Sequence, residues 1–199
     1  ALVYYRNVAE LKDIRVNSFE NVEQVTKKQD GQFLVKTSKD QYEARYVVVA
    51  TGYYDNPNRL NVPGEELPHV HHYFKEAHPY YKRRVVIIGG KNSAIDAGIE
   101  LAHAGAEHYS ESIKPCVLPE FESLVRHEKI TMHFNTEVVA IDEDNVHVIT
   151  EGKQTKIEAD TVFAMIGYHP DHAFIRKMGV AIDEVTGEPH YDEETMESN

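Results

Sequence analysis

Apolar residues fall along the chain in three kinds of pattern. The first is alternation. Val22 and Val25, then Phe33, Val35 and Thr37, then Tyr42, Ala44 and Tyr46 predict an antiparallel meander turned at Gly31 and at Ser38-Lys39-Asp40. Thr136 to Asp142, Val146 to Thr150 and Thr155 to Glu158 predict a second meander, split by Asp144-Asn145 and Glu151-Gly152. The second pattern is the short unbroken run. Val47-Val48-Val49-Ala50, Val85-Val86-Ile87-Ile88 and Thr161-Val162-Phe163-Ala164-Met165-Ile166 each read as a strand buried on both faces, and each run soon meets a glycine: Gly52, Gly89 and Gly167. Ile14 to Val16 and Ile130 to Phe134 read as two further short strands. The third pattern has helical spacing. Ala94, Ile95, Gly98, Ile99 and Ala102 predict a helix capped by Asn92 or Ser93 and stopped by Gly105. Ala1 to Lys12, with Leu2, Val3, Val8 and Leu11 on one side, reads as the end of a helix, and Pro119 to Glu128 as a short one carrying Phe121, Leu124 and Val125.

The order of these elements repeats. Meander, apolar strand, glycine and proline loop occur twice, flanking the stretch from Arg84 to Gly105, and no other repeat or low-complexity tract is evident. The loop from Pro57 through Pro63 to Gly64 reads as a crossing to another domain, and Tyr73 to Tyr81 as an aromatic, histidine-bearing connector.

The central stretch is where chemistry concentrates. A buried strand, a glycine turn and a helix N-terminus make an anion site, because free N–H groups and the helix dipole favour negative charge. Against the dinucleotide fingerprint, Gly89 fills the first place, Ala94 the last, and Lys91 the middle place where glycine is usual. Its ammonium is suited to face a phosphate. The bland alternative is an ordinary strand-to-helix turn. Thr51 and Gly52 end another apolar run, where ligands of open α/β sheets sit. After the helix the pattern breaks. A mononucleotide unit needs a second parallel strand, but Gly105-Ala106 runs directly into the polar Glu107-His108-Tyr109-Ser110-Glu111. Either that strand is missing or the unit is not a complete Rossmann unit.

Composition narrows the function classes. Of 199 residues, 41% are hydrophobic and 27% charged, which supports a folded, soluble core. A formal net charge of -12 argues against nucleic acid as the main partner, so an anionic cofactor must bind locally; many acids gather after Asp183 in what reads as a solvated end. No run approaches the length of a membrane helix. Ala1 to Arg6 does not read as a signal peptide, and the lack of an initiator methionine predicts that the sequence begins inside a longer chain. A lone Cys116, read as incidental, excludes an internal disulfide and a cysteine-rich metal site, and fits a reducing cytoplasm. His69, His71 and His72 lie close together without a familiar ligand spacing, so no metal is expected.

With these residues assembled, the sequence resembles the two-dinucleotide-domain flavoproteins of the pyridine nucleotide-disulfide oxidoreductase superfamily. Ala50-Thr51-Gly52 with Pro63-Gly64 resembles their linker motif, Val85 to Ala94 their nicotinamide-nucleotide loop, and Phe163 to Gly167 their second glycine-ended strand. More narrowly, His72 to Tyr80, Gly89 to Asp96 and Ala164 to Pro170 resemble the bacillithiol-disulfide reductase family of low-GC Gram-positive bacteria, over most of positions 1 to 190. There the lysine of the glycine loop is usual, so Lys91 becomes a match. The resemblance implies an α/β, FAD/NAD(P)-binding Rossmann-like two-domain fold, a three-layer ββα sandwich, present as a partial chain. Residues 1–66 and 155–199 would be the remainder of an FAD domain, and 67–154 an NAD(P)H domain. It implies FAD as bound cofactor, NADPH as hydride donor, a small-molecule disulfide as substrate, no membrane partner and room for a homo-oligomer. Gly89, Gly90, Lys91, Asn92, Ser93 and Ala94 would hold the NADPH pyrophosphate. Thr51, Gly52 and Gly167 would lie near cofactor as backbone turns, and Tyr53 and Tyr168 would cover that cofactor. Four family features have no counterpart in the sequence: the first FAD glycine loop with its redox cysteine, the closing flavin motif, the second strand after Ala106 and the arginine for the 2′-phosphate that it carries. Rival readings are a flavin-dependent monooxygenase and a flavin-free NADPH-binding module.

Overall fold

The computed structural model describes residues 2–103 and 118–198. Two compact units form: 1–51 with 171–199, and 52–170. In the first, helix α1 (Leu2–Leu11) precedes the meander β1 (Val22–Lys27), β2 (Phe33–Thr37) and β3 (Gln41–Ala44), paired antiparallel as the alternation predicts. The apolar side of α1 is exposed, with Leu2, Val3 and Leu11 all outward. Glu20 ties the meander to the turn before it, accepting hydrogen bonds from Thr37 Oγ1 at 2.6 Å and Tyr42 Oη at 2.8 Å.

Two expected strands do not form in this unit. Ile14 to Val16 is irregular, and so is Val47 to Ala50, where Val48 is 87% exposed. A run of β-branched residues becomes a strand only where a neighbouring strand pairs with it, and none of the described strands lies beside either run. The acidic end is built where a solvated tail was expected. After α4 (His172–Lys177) come two matching turns: Asp183 accepts from Val185 N, Thr186 N and Thr186 Oγ1, and Asp192 from Glu194 N, Thr195 N and Thr195 Oγ1. Each is closed by an antiparallel bridge, Ile182 to Pro189 and Tyr191 to Ser198. This is a second internal repeat, Asp-x-x-Thr-x-Glu, which the sequence reading did not register.

The second unit has three layers. Its middle is a parallel sheet in the order β4 (Val70–His71), β9 (Thr161–Ala164), β5 (Val85–Ile88). One face of β5 and β9, with Val85, Ile87 and Phe163, packs on Ala94, Ala97 and Leu101 of α2 (Asn92–His103). The other face, with Val86 and Val162, packs on the meander β6 (Thr136–Ile141), β7 (Asn145–Thr150) and β8 (Lys153–Glu158) through Ile141, Val146 and Val148. Behind α2, Ile95, Ile99 and Ala102 meet Phe121 of α3 (Leu118–Arg126) and Ile130. Meander, parallel sheet and helices thus stack as the expected ββα sandwich. Phe163 is fully buried and ringed by Phe74, Tyr80 and His71 at centroid distances of 5.6, 5.1 and 5.4 Å.

The units divide after Thr51 and after Pro170, with β9 paired between β4 and β5 and the Pro57–Gly64 loop packed on β6. That loop lies within the second unit: Pro63 O accepts from Ile141 N at 2.8 Å, and Leu60 and Val62 join the Val86 cluster. Ile130 to Phe134 is not a strand, although Ile130 is buried. Gly105, Cys116 and the stretch where the second parallel strand was sought lie outside the described residues.

Candidate functional site

The parallel pairing of β5 with β9 sets the geometry of the site. Ile88 lies opposite Ala164, and Met165 N donates to Ile88 O at 2.8 Å, so both strands end at the same level. Their glycine turns therefore emerge side by side. Gly89 has φ +136°, and a Cβ built there would lie 2.3 Å from the Met165 carbonyl oxygen. Its bareness serves this backbone packing first. The opposite end of the strand pair is clamped by Arg84, whose guanidinium pairs with Asp160 and Glu158; the bond to Arg84 holds the Asp160 carboxyl below the usual range.

Helix α2 starts immediately after the turn. Lys91 O accepts from both Ala94 N and Ile95 N, so Lys91 holds the cap position, not Asn92 or Ser93 as expected. Asn92 and Ser93 are the first two helical residues. Their N–H groups have no acceptor among the described residues, and with the helix dipole they leave an N-terminus suited to an anion. Ala94 is fully buried against the sheet, which accounts for a small residue in that place.

A cleft of about 510 Å³ opens beside this turn. Gly89, Gly90 and Lys91 form its near wall, His133, Asn135 and Thr136 its far wall, and Val138 and Ile157 part of an apolar floor. Desolvation lowers the His133 pKa, which favours its neutral form. His133 falls inside an apolar run that reads as an ordinary strand and Thr136 opens the second meander, so none of the far-wall residues carried a sign of ligand binding.

Segment 52–59 is stitched to the turn after β9. Asn58 N donates to Gly167 O at 3.0 Å, Asn58 Nδ2 to Ile166 O at 3.3 Å, and His169 N to Asn56 O at 2.9 Å, around a Pro57–Tyr168 bridge. Gly52, with φ +69°, has open space where a Cβ would sit; Thr51 closes the other unit. Tyr168 packs its ring on Tyr54 and Tyr73, at 4.7 and 5.7 Å, and its hydroxyl donates to His72 O. Burial, then Tyr54, raises its pKa to about 12. Tyr54 is the ring packed on Tyr168, and Tyr53 is exposed. The structure thus brings Gly89–Ala94, Gly167 and Tyr168 to one end of the second unit.

A buried charged group supports this end. Glu65 is only 8% exposed and accepts from Leu60 N and Asn61 N, both at 2.8 Å. His72 Nε2 lies 3.6 Å from Glu65 and accepts from Arg59 Nη1 at 2.6 Å. Burial and then the Arg59 charge lower the His72 pKa. Among the described residues no group of His, Cys, Asp and Glu is arranged to hold a metal ion.

Comparison with known proteins adds relatives to this geometry. The family model described as pyridine nucleotide-disulphide oxidoreductase matches residues 1–199. The chain is 53% identical to bacilliredoxin reductase Bdr of Bacillus subtilis (strain 168) over 209 residues, covering all of this chain and 64% of the relative. Two solved structures of bacillithiol disulfide reductase Bdr are similar. That from Bacillus cereus is 52% identical with a TM-score of 0.90, and that from Staphylococcus aureus 48% identical with a TM-score of 0.91. Each covers 100% of this chain, which spans 65% and 64% of their lengths.

Proposed function

The chain belongs to the pyridine nucleotide-disulphide oxidoreductase family, and from that premise we propose that it is the nucleotide-docking part of a cytoplasmic FAD flavoprotein that uses NADPH to reduce a low-molecular-weight disulfide. Bacillithiol disulfide is the leading substrate, because the similar structures bear that name. The observation that carries the reading is the glycine turn at the end of β5, where Gly89, Gly90 and Lys91 line a cleft of ligand size and lead directly into the N-terminus of α2 at Asn92 and Ser93.

In this reading each group has a stated task. The N–H groups of Asn92 and Ser93 hold the pyrophosphate, and the Lys91 ammonium neutralises part of its charge. The Gly167 backbone, fixed by Asn58, and the Tyr168 ring bound the nicotinamide side, while Thr51 and Gly52 leave bare backbone for the flavin. NADPH and FAD, when bound, supply the hydride and electron chemistry; the polypeptide binds, orients and excludes water. The balance is one disulfide, one NADPH and one proton giving two thiols and NADP⁺.

The test is anaerobic turnover of the purified full-length protein with NADPH and bacillithiol disulfide. Two thiols released per NADPH oxidised supports the reading. In a parallel aerobic assay, NADPH oxidation that consumes oxygen and hydroxylates a substrate would replace it with a monooxygenase, and nucleotide binding without electron transfer in either assay would replace it with a flavin-free module.

A further inference from the structure

We propose that Arg59, Glu65 and His72 form a proton-operated latch on the turn that carries Gly167 and Tyr168, in which the His72 ring exchanges one partner for the other as it gains a proton. The geometry turns on a single nitrogen. His72 Nε2 accepts from Arg59 Nη1 at 2.6 Å, and Glu65 Oε1 lies 3.6 Å from the same nitrogen. A guanidinium only donates, so this bond requires a neutral ring with its proton on Nδ1. A protonated ring donates from Nε2 as well. It then repels Arg59 and has a carboxylate within reach, whose oxygens keep lone pairs to spare beyond the bonds from Leu60 N and Asn61 N. The two arrangements exclude each other, which makes the group a two-state element.

Burial sets which partner can leave. The His72 and Glu65 side chains are only 10% and 9% exposed, whereas Arg59 is exposed, so the arginine returns to water at little cost. Burial and the Arg59 charge favour the neutral ring, and Glu65 acts in the opposite sense. The other titratable groups around the ring are His69 and His71, beside and on β4, and Tyr168, which reaches the His72 carbonyl and not its ring. Latch and turn are joined at two places. Arg59 directly follows Asn58, whose N and Nδ2 hold the Gly167 and Ile166 carbonyls, and Tyr168 Oη donates to His72 O at 3.3 Å. Release of Arg59 from the ring therefore frees the chain beside Asn58 and loosens the turn in mildly acidic solution. Under the nucleotide reading of that turn, docking becomes acid-sensitive.

Histidine-ring NMR of the purified full-length protein, titrated from about pH 7.5 to about pH 4.5, tests the exchange, with His72→Gln identifying the His72 signal. The His72 midpoint is expected below the usual value of about 6.5. Arg59→Gln is expected to raise it and Arg59→Lys to leave it low, because the first removes a repelling charge and the second keeps it. Glu65→Gln removes an attracting charge and is expected to lower it further. Hydrogen exchange of the segment from Ile166 to His169 reads the turn. Corrected for intrinsic rates, exchange there is expected to rise about three- to tenfold in the parent between about pH 7.5 and about pH 5, and less than about twofold in His72→Gln. Circular dichroism of each variant reports on folding, and the exposed Arg59 variants carry the test if Glu65→Gln does not fold. A His72 midpoint unmoved by Arg59→Gln, or an equal acid-induced rise in the parent and His72→Gln, overturns the latch. Neither readout uses a nucleotide, so failure of the latch and failure of the glycine-turn reading are separate results.

Discussion

Glycines at the two candidate turns play different physical parts, and substitution separates them. At Gly89 an added Cβ meets backbone at 2.3 Å, and φ is +136°. Gly89→Ala must push β5 from β9, and we expect a loss of about 2–3 kcal/mol in chemical denaturation. At Gly52 φ is +69° with open space, so Gly52→Ala bears only the left-handed backbone cost, about 1 kcal/mol. Equal losses would contradict the packing role given to Gly89. Lys91 is exposed at the cleft, and Lys91→Ala is expected to raise the NADPH dissociation constant about three- to tenfold with little change in stability. Gly89, Lys91 and Ala94 were legible in the sequence because fingerprint spacing is a local property. Asn58, Glu65 and His72 were not, since their roles depend on partners that folding brings from elsewhere in the chain.

Among elements, the two meanders, α2 and β5 form where alternation, helical spacing and a β-branched run place them. Val47 to Ala50 and Ile130 to Phe134 carry the same apolar signal yet form no strand. A run states what a strand would bury, but pairing depends on neighbours that the run does not contain. The loop from Pro57 to Gly64, which reads as a crossing to another domain, shows the converse. It leads into a turn held by Glu65, and with Asn58 and His72 it braces the Tyr168 turn. That brace has a pH signature. His71 and His72 both have pKa values lowered, chiefly by burial, so the unfolded chain binds protons that the folded chain resists. Stability from this source is present above the unfolded histidine value, about 6.5, and is lost as pH falls from there through the lower folded values. We expect the melting temperature to drop between pH 7.5 and pH 5.5, values bracketing that range, with a shallower drop in His72→Gln. An unchanged slope in the variant would remove His72 from the explanation.

At the scale of the molecule, the second unit stacks meander, parallel sheet and helices so that two strand ends and one helix N-terminus share an edge. The family resemblance implies that layer order, and pattern places its meander, apolar strands and helix. The division after Thr51 and Pro170 depends on β9 joining β5 across more than 70 intervening positions. The tandem turns at Asp183 and Asp192 share polar residues, which apolar periodicity does not mark. The central claim is that nucleotide reaches the flavin by docking at Gly89–Ala94. It is tested most directly by visible absorption of the full-length protein and its Gly90→Glu variant, each titrated anaerobically with NADPH. We expect a flavin band in both, bleached by NADPH in the parent and resistant to bleaching in the variant. Equal bleaching of the two, or no flavin band in the parent, would contradict the claim.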